Sequence, residues 1–301
     1  HNGYIKRTSL STYRSQRRGG RGVQGASSRE EDFVEHLFIA NTHSYILFFT
    51  DKGKCYWVKV YDIPEGGRAA KGRAIVNLIG CDPDEKVSAH IIVKEFNEDH
   101  YVVMATEKGM VKKTKLTAYS NPRKKGIYAV EIRDGDKLIE ARVSTGDNDI
   151  FLGTRNGKSI RFSEEQIRAS GRKTMGVKGI TLSSDDDRLV GMLLIKREGT
   201  VLVATEKGFG KRTEISQYRA QKRGGKGVLT MKTTDKVGKM VTIKEVVDKD
   251  DLMIITNQGV LIRLPVAQIR SIGRATQGVK LIKLGEGTLV SSITRIMSEE
   301  E

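Results

Sequence analysis

Cysteine is scarce in this chain: Cys55 and Cys81 are the two among 301 residues. They allow at most one disulfide, which a chain of this size does not need, so a reducing cytoplasm is the expected setting. Long apolar runs are missing too. Segments such as Tyr45 to Phe49 and His90 to Val93 fall far short of the ~18 residues that span a bilayer, so no membrane segment is expected. The start, His1-Asn-Gly-Tyr-Ile-Lys-Arg7, lacks an initiator methionine and an apolar stretch behind a basic one. It is not a secretory signal, and the chain reads as a fragment of a longer polypeptide.

Catalytic signatures are equally thin. No Gly-x-x-x-x-Gly-Lys-Ser/Thr loop occurs, and Gly224-Gly-Lys-Gly227 lacks the hydroxyl residue that would hold Mg²⁺. The five histidines (His1, His36, His43, His90, His100) show no zinc spacing, and Cys55 and Cys81 stand 26 residues apart. His36 and His43 read as surface or hairpin residues. Asp185-Asp-Asp187 has no further acidic partners in sequence and reads as a solvated turn. No catalytic residue, cofactor or metal is expected in this chain.

Positive charge is what the chain has in excess: 53 Lys and Arg against 37 Asp and Glu, a formal +16 with a pI near 9.7. Such a balance suggests a polyanionic partner, nucleic acid among them. A hydrophobic fraction of 38% is enough for a core, and length alone would suggest about two domains.

A repeat replaces that estimate. Thr50-Asp-Lys-Gly53, Thr106-Glu-Lys-Gly109, Thr154-Arg-Asn-Gly157, Thr205-Glu-Lys-Gly208 and Thr256-Asn-Gln-Gly259 share the form Thr-x-x-Gly, with His1-Asn-Gly3 as a sixth copy lacking its Thr. A second glycine follows at Gly22, Gly72, Gly126, Gly176, Gly227 and Gly278, 19 residues on in every copy but the third, where the offset is 17. Short β-branched and aromatic runs flank each Thr-x-x-Gly, the signature of a hairpin in which glycine supplies a positive φ. Further β segments follow the second glycine and precede the next hairpin, as in Lys137-Leu-Ile-Glu-Ala-Arg-Val143. Helical periodicity is absent. About four strands per fifty residues predict an all-β, propeller-like disc. A solenoid is the alternative, but it would need a shorter repeat with a helix. Trp57 and the other hairpin aromatics read as core rather than as a base-stacking platform.

The charge follows the repeat. The windows between the two glycines of each copy hold 30 basic and 5 acidic residues, a net +25, and the rest of the chain is net −9. Equivalent loops of a disc face one way, so these windows predict a continuous basic band. Its densest part is Gln16-Arg17-Arg18-Gly19-Gly20-Arg21-Gly22, where guanidiniums and a side-chain-poor backbone suit phosphate. The plain alternative is a flexible Arg-Gly-Gly segment that binds RNA. Gln221-Lys222-Arg223-Gly224-Gly225-Lys226-Gly227 repeats the pattern in the fifth copy.

Residues 16–22 resemble the seven-residue box, Gln-Arg-Arg-Gly-Gly-Arg-Gly, that marks the C-terminal domain of bacterial DNA gyrase A. The resemblance extends to the whole chain, including the acidic tail Ser298-Glu-Glu-Glu301. It implies a six-bladed β-pinwheel, a propeller relative whose neighbouring blades exchange strands. Blades are expected at about 1–52, 53–108, 109–156, 157–207, 208–258 and 259–297, followed by the tail at 298–301. It also implies duplex DNA bound without sequence specificity around a basic rim. The rim candidates are the box (Gln16, Arg17, Arg18, Gly19, Gly20, Arg21, Gly22), then Arg68, Lys71, Arg123, Lys124, Lys125, Arg172, Lys173, Lys222, Arg223, Lys226 and Arg274. Partners implied are the N-terminal part of gyrase A and the gyrase B protein in an A2B2 holoenzyme, which brings ATP, Mg²⁺ and the cleavage tyrosine from outside this chain. The isolated domain is expected to be monomeric, in a bacterial cytoplasm on the nucleoid. The corresponding C-terminal domain of topoisomerase IV, whose box is lost or degenerate, and a protein-interaction propeller are the competing readings.

Overall fold

The computed structural model describes residues 3–9, 40–67, 70–121, 123–195, 199–258 and 261–296. In the second copy, Tyr45–Thr50 and Lys54–Lys59 form an antiparallel hairpin. The Gly53 N–H donates to Thr50 O at 2.9 Å, with Gly53 at φ 80°. The buried Thr50 hydroxyl accepts the Lys54 N–H at 3.2 Å, and Thr106 and Thr154 do the same for Met110 and Lys158. That bond explains the threonine of the repeat.

A third strand, Val87–Val93, pairs with the other edge of Tyr45–Thr50. These leading, trailing and inner strands recur in order as Tyr101–Thr106, Met110–Lys115 and Leu138–Ser144; Asp149–Thr154, Lys158–Ser163 and Leu189–Ile195; Thr200–Thr205, Phe209–Glu214 and Met240–Val246; Asp251–Thr256, Leu261–Pro265 and Val290–Ile296. Inner strands of successive sheets pack on one another.

The fourth strand of a sheet comes from the next copy. Ile127–Tyr128 pairs with Lys54 and Cys55, Val177–Lys178 with Met110 and Val111, Val228–Leu229 with Lys158 and Ser159, and Val279–Lys280 with Phe209 and Gly210. The outer strand of every four-stranded blade is therefore donated. The segment after the second glycine is only two residues long because its backbone then turns onto the neighbouring hairpin: Ala129 N–H donates to Gly53 O at 2.8 Å, and Gly179, Thr230 and Leu281 repeat the bond to Gly109, Gly157 and Gly208.

The blade count differs from the expected six. Among the described residues there are five blades, four with four strands and one with three, plus a two-stranded ribbon. A full blade takes three strands from its own copy and one from the next. Within the described residues the first copy supplies only Tyr4–Ile5, which pairs with Arg73–Ala74 and makes the ribbon. Each sheet also joins residues from both sides of a repeat limit, since the limits fall in the hairpin turns.

Core lies between sheets rather than within one. Leu47 and Phe49 face the cluster that holds Val102 and Met104 of the next blade, whereas Ile46 and Phe48 face the ribbon side with Ile5. Val103 and Ala105 then face Ile150 and Leu152, and Phe151 faces Val201 and Val203. A leading strand buried on both faces reads as a continuous apolar run rather than as an alternation. Trp57 is half-buried, its Nε1 donating to Tyr119 O at 2.7 Å. Cys55 and Cys81 are both free thiols. No helix among the described residues is long and apolar enough to cross a membrane.

Glycines of both series are contact points between copies. A Cβ on Gly157 would lie 2.1 Å from Met231 O, and one on Gly176 would lie 2.3 Å from Val111 O. Both residues also hold positive φ, at 85° and 79°. Gly157→Ala is expected to destabilise the chain by more than about 3 kcal/mol in urea unfolding. Gly171→Ala, whose Cβ meets nothing within 4 Å, should change stability by less than about 0.5 kcal/mol.

Candidate nucleic-acid interface

Strand donation decides where the basic windows lie. From the second copy to the sixth, each window starts at a hairpin turn, follows the trailing strand, passes a short 3-10 turn and crosses to the previous copy's sheet, where its second glycine opens the donated strand. The loop before that glycine lies at the outer edge of the sheets and bridges two copies.

Arg123, Lys124 and Lys125 of the third copy are exposed, as are Lys71 of the second, Lys173 of the fourth, and Lys222 and Lys226 of the fifth. The structure thus brings the exposed candidates to equivalent loops. Residues 16–22, the box, lie outside the described residues, and so do Arg68, His36 and the tail at 298–301.

Three candidate arginines have internal duties. Arg172 Nη1 donates to Tyr128 O at 3.3 Å, Arg223 Nη1 to Lys178 O at 2.7 Å and Arg274 Nη1 to Leu229 O at 3.1 Å. Each acceptor belongs to the strand donated by the preceding copy, so these half-buried guanidiniums brace consecutive outer strands. Asp187 departs from the solvated turn expected of Asp185–Asp187. It is buried and accepts from Asn156 N at 2.9 Å and Ser183 Oγ at 2.7 Å.

Part of the charge counted in the windows never reaches the rim. Four residues after the turn glycine, Arg7, Lys113, Arg161 and Arg212 donate to carbonyls at the 3-10 turn of the next copy: Ile63 O at 3.2 Å, Glu164 O at 3.2 Å, Ile215 O at 3.2 Å and Ile269 O at 2.8 Å. Trp57 takes the same place in the second copy with its bond to Tyr119 O. Lys112 and Lys211, one residue earlier, are also buried. The constant offset from the turn glycine marks all of them in the sequence. Another constant offset, eleven residues, marks Arg168, Arg219 and Arg270, which are exposed and were missed among the rim candidates.

A family model described as DNA gyrase C-terminal domain, beta-propeller, matches the chain over residues 1–41, 44–89, 100–145, 148–196, 199–246 and 250–296. The chain belongs to that family. It is 46% identical over 304 residues to the A-type subunit of DNA gyrase from Staphylococcus epidermidis, a match that covers 100% of the chain and 34% of that protein. The Staphylococcus aureus counterpart matches at the same identity and coverage. The chain thus spans about a third of the length of the curated relatives it matches. Among solved structures, the C-terminal domain of DNA topoisomerase IV superposes with a TM-score of 0.83 at 26% identity, covering 98% of this chain and 91% of that one. A DNA gyrase A C-terminal domain superposes at 0.80 and 24% identity, covering 98% and 97%, which shows a common fold.

In this gyrase-family domain burial moves Lys112 and Lys211 well below the usual lysine range. Burial, with the Arg172 charge nearby, lowers Lys112 to about 7, and burial with Arg274 nearby lowers Lys211 to about 8. The unfolded chain keeps lysine near 10.5, so between pH 7 and 10.5 it binds more protons than the folded chain. Stability from Lys112 therefore rises with pH across that window. Urea unfolding at pH 7 and pH 10 should show the unsubstituted chain gaining stability relative to Lys112→Met as the pH rises. A constant difference between the two would contradict the burial argument.

Proposed function

We propose that this domain binds duplex DNA without sequence specificity, bends it and wraps it around its basic perimeter. One observation carries the reading: exposed cations recur at equivalent loops on the outer edge of successive copies, among them Arg123, Lys124, Lys125, Lys173, Lys222 and Lys226. Arg168, Arg219 and Arg270 extend the same band. None is set on a helix or long ribbon that could enter a major groove, so the band addresses phosphate rather than base edges.

The energetics support a distributed contact. Bending DNA by about 180° over roughly 40 bp costs on the order of 10 kcal/mol. About eight to twelve phosphate contacts would offset that cost and produce a slope of log K against log salt of roughly −7 to −11. A slope shallower than about −3, or a strong preference among unrelated duplexes, would refute the wrapping reading and favour a protein-interaction propeller.

Within an A2B2 holoenzyme, such a wrap would present a second duplex segment over the gate segment in a positive crossing. Strand passage would then introduce negative supercoils, with ATP hydrolysis and strand cleavage supplied by other parts of the enzyme. The intact box at 16–22 supports the gyrase assignment over a topoisomerase IV one. Replacing Arg17, Arg18 and Arg21 with Ala in a holoenzyme is expected to abolish supercoiling and leave relaxation in place. Unchanged supercoiling, or loss of both activities, would contradict the role given to the box.

A further inference from the structure

The basic loops do not all rest on the same seat. Three residues after the turn glycine, the first, third and fifth copies carry Lys6, Lys112 and Lys211, whereas the second, fourth and sixth carry Tyr56, Ile160 and Ile262. Lys112 Nζ donates to Ala129 O and to Arg172 O, both at 2.6 Å. Lys211 Nζ donates to Gly273 O at 2.7 Å, to Thr276 Oγ1 at 3.1 Å and also to Arg274 O. Lys6 Nζ donates to Gly67 O at 3.0 Å. The acceptors Gly67, Arg172, Gly273 and Arg274 all stand four or five residues before the second glycine of the following copy. They are the backbone of the basic loops.

Lys112 and Lys211 are 1% and 0% exposed, so neither can touch a bound polyanion. What a lysine nitrogen offers there is two N–H donors as an amine and three as an ammonium, all at one point, enough to gather carbonyls that converge from different residues. A loop whose carbonyls are drawn inward has its side chains free to project outward, and a loop already ordered loses less entropy on binding. The fifth-copy loop is seated differently. Ile160 lies beneath it, and it is tied instead by Arg223 Nε to Gln166 O at 3.2 Å and by Gly224 N–H to Gly179 O at 2.8 Å.

We propose that Lys112 and Lys211, and Lys6 by the same geometry, are positioning residues for DNA contact, each holding one basic loop in its binding shape. The rim is then built in pairs of copies, with lysine-seated loops at Gly67, at 171–176 and at 273–278 alternating with loops seated by other means. This rests on the DNA-binding reading above.

The test is a double-mutant cycle in the 301-residue chain, reading affinity for a duplex of about 40 bp. Lys173→Ala alone should weaken binding roughly threefold, as one lost phosphate contact does at moderate salt. On a Lys112→Met background it should add little, because the loop that presents Lys173 is already displaced. Lys226→Ala, in the loop without a lysine seat, should keep its full effect on that background. Additivity in both pairs would overturn the proposal. Should Lys112→Met fail to fold, amide hydrogen exchange on Lys211→Gln decides the matter without DNA. Faster exchange confined to 273–278, with 222–227 unchanged, supports the proposal, and unchanged exchange at 273–278 overturns it. Failure of the unsubstituted chain to bind any duplex would instead refute the DNA-binding reading, and the exchange result would still decide whether the lysines hold their loops.

Discussion

Everything in this fold depends on two residues of chain crossing to pair with the previous hairpin. The donated pair is short, so its register must be set by more than its own hydrogen bonds. Two glycines set it. In the second to sixth copies the second glycine passes so close to the neighbour's trailing strand that no Cβ fits, and the turn glycines Gly53, Gly109, Gly157 and Gly208 offer their carbonyls to the backbone just beyond the donated pair. A larger residue at either point would push the outer strand off, and the basic loop would lose its place with it. The same crossing that completes a blade therefore sets the position of a cationic loop.

The charge divides by depth. Lysines and arginines three and four residues beyond the turn glycine tie one copy to the next, while those of the loop tips stay in solvent. Arg172, Arg223 and Arg274 stand between these groups, half-buried and bonded to the preceding donated strand. A guanidinium can do this while keeping donors toward solvent, since it has five in a fixed fork. Replacing such an arginine would disturb the scaffold along with any phosphate contact. Of the exposed lysines, Lys71 and Lys173 also touch the scaffold, their ammonium groups 4.0 Å and 5.9 Å from the Tyr4 and Tyr128 ring centroids.

The repeat was legible because its two glycines answer backbone demands that no other residue meets, and these demands recur in every copy. Strand type was legible for a related reason: a leading strand such as Tyr45–Thr50 is buried on both faces and so carries apolar residues at consecutive positions up to its final threonine. The blade count was not, because a repeat limit placed at a turn glycine divides a hairpin whose two strands share a sheet, and the first copy contributes a ribbon among the described residues. The band of charge was visible as a sum over windows. Its division was not, because a window total cannot separate Lys112, which is buried, from Lys124, which is exposed. Alignment of the copies by offset from the turn glycine would have separated them, and would have found Arg168, Arg219 and Arg270.

The central claim is that in-phase cationic loops on the perimeter force DNA into a curve. The most direct measurement is the end-to-end distance of a duplex of about 40 bp, carrying a fluorophore at each end, when the domain binds at low salt. The account predicts a large rise in energy transfer that is lost as salt is raised. Saturable binding with no change in energy transfer would contradict it, since the cations would then hold a straight duplex and the rim would not be a wrapping surface.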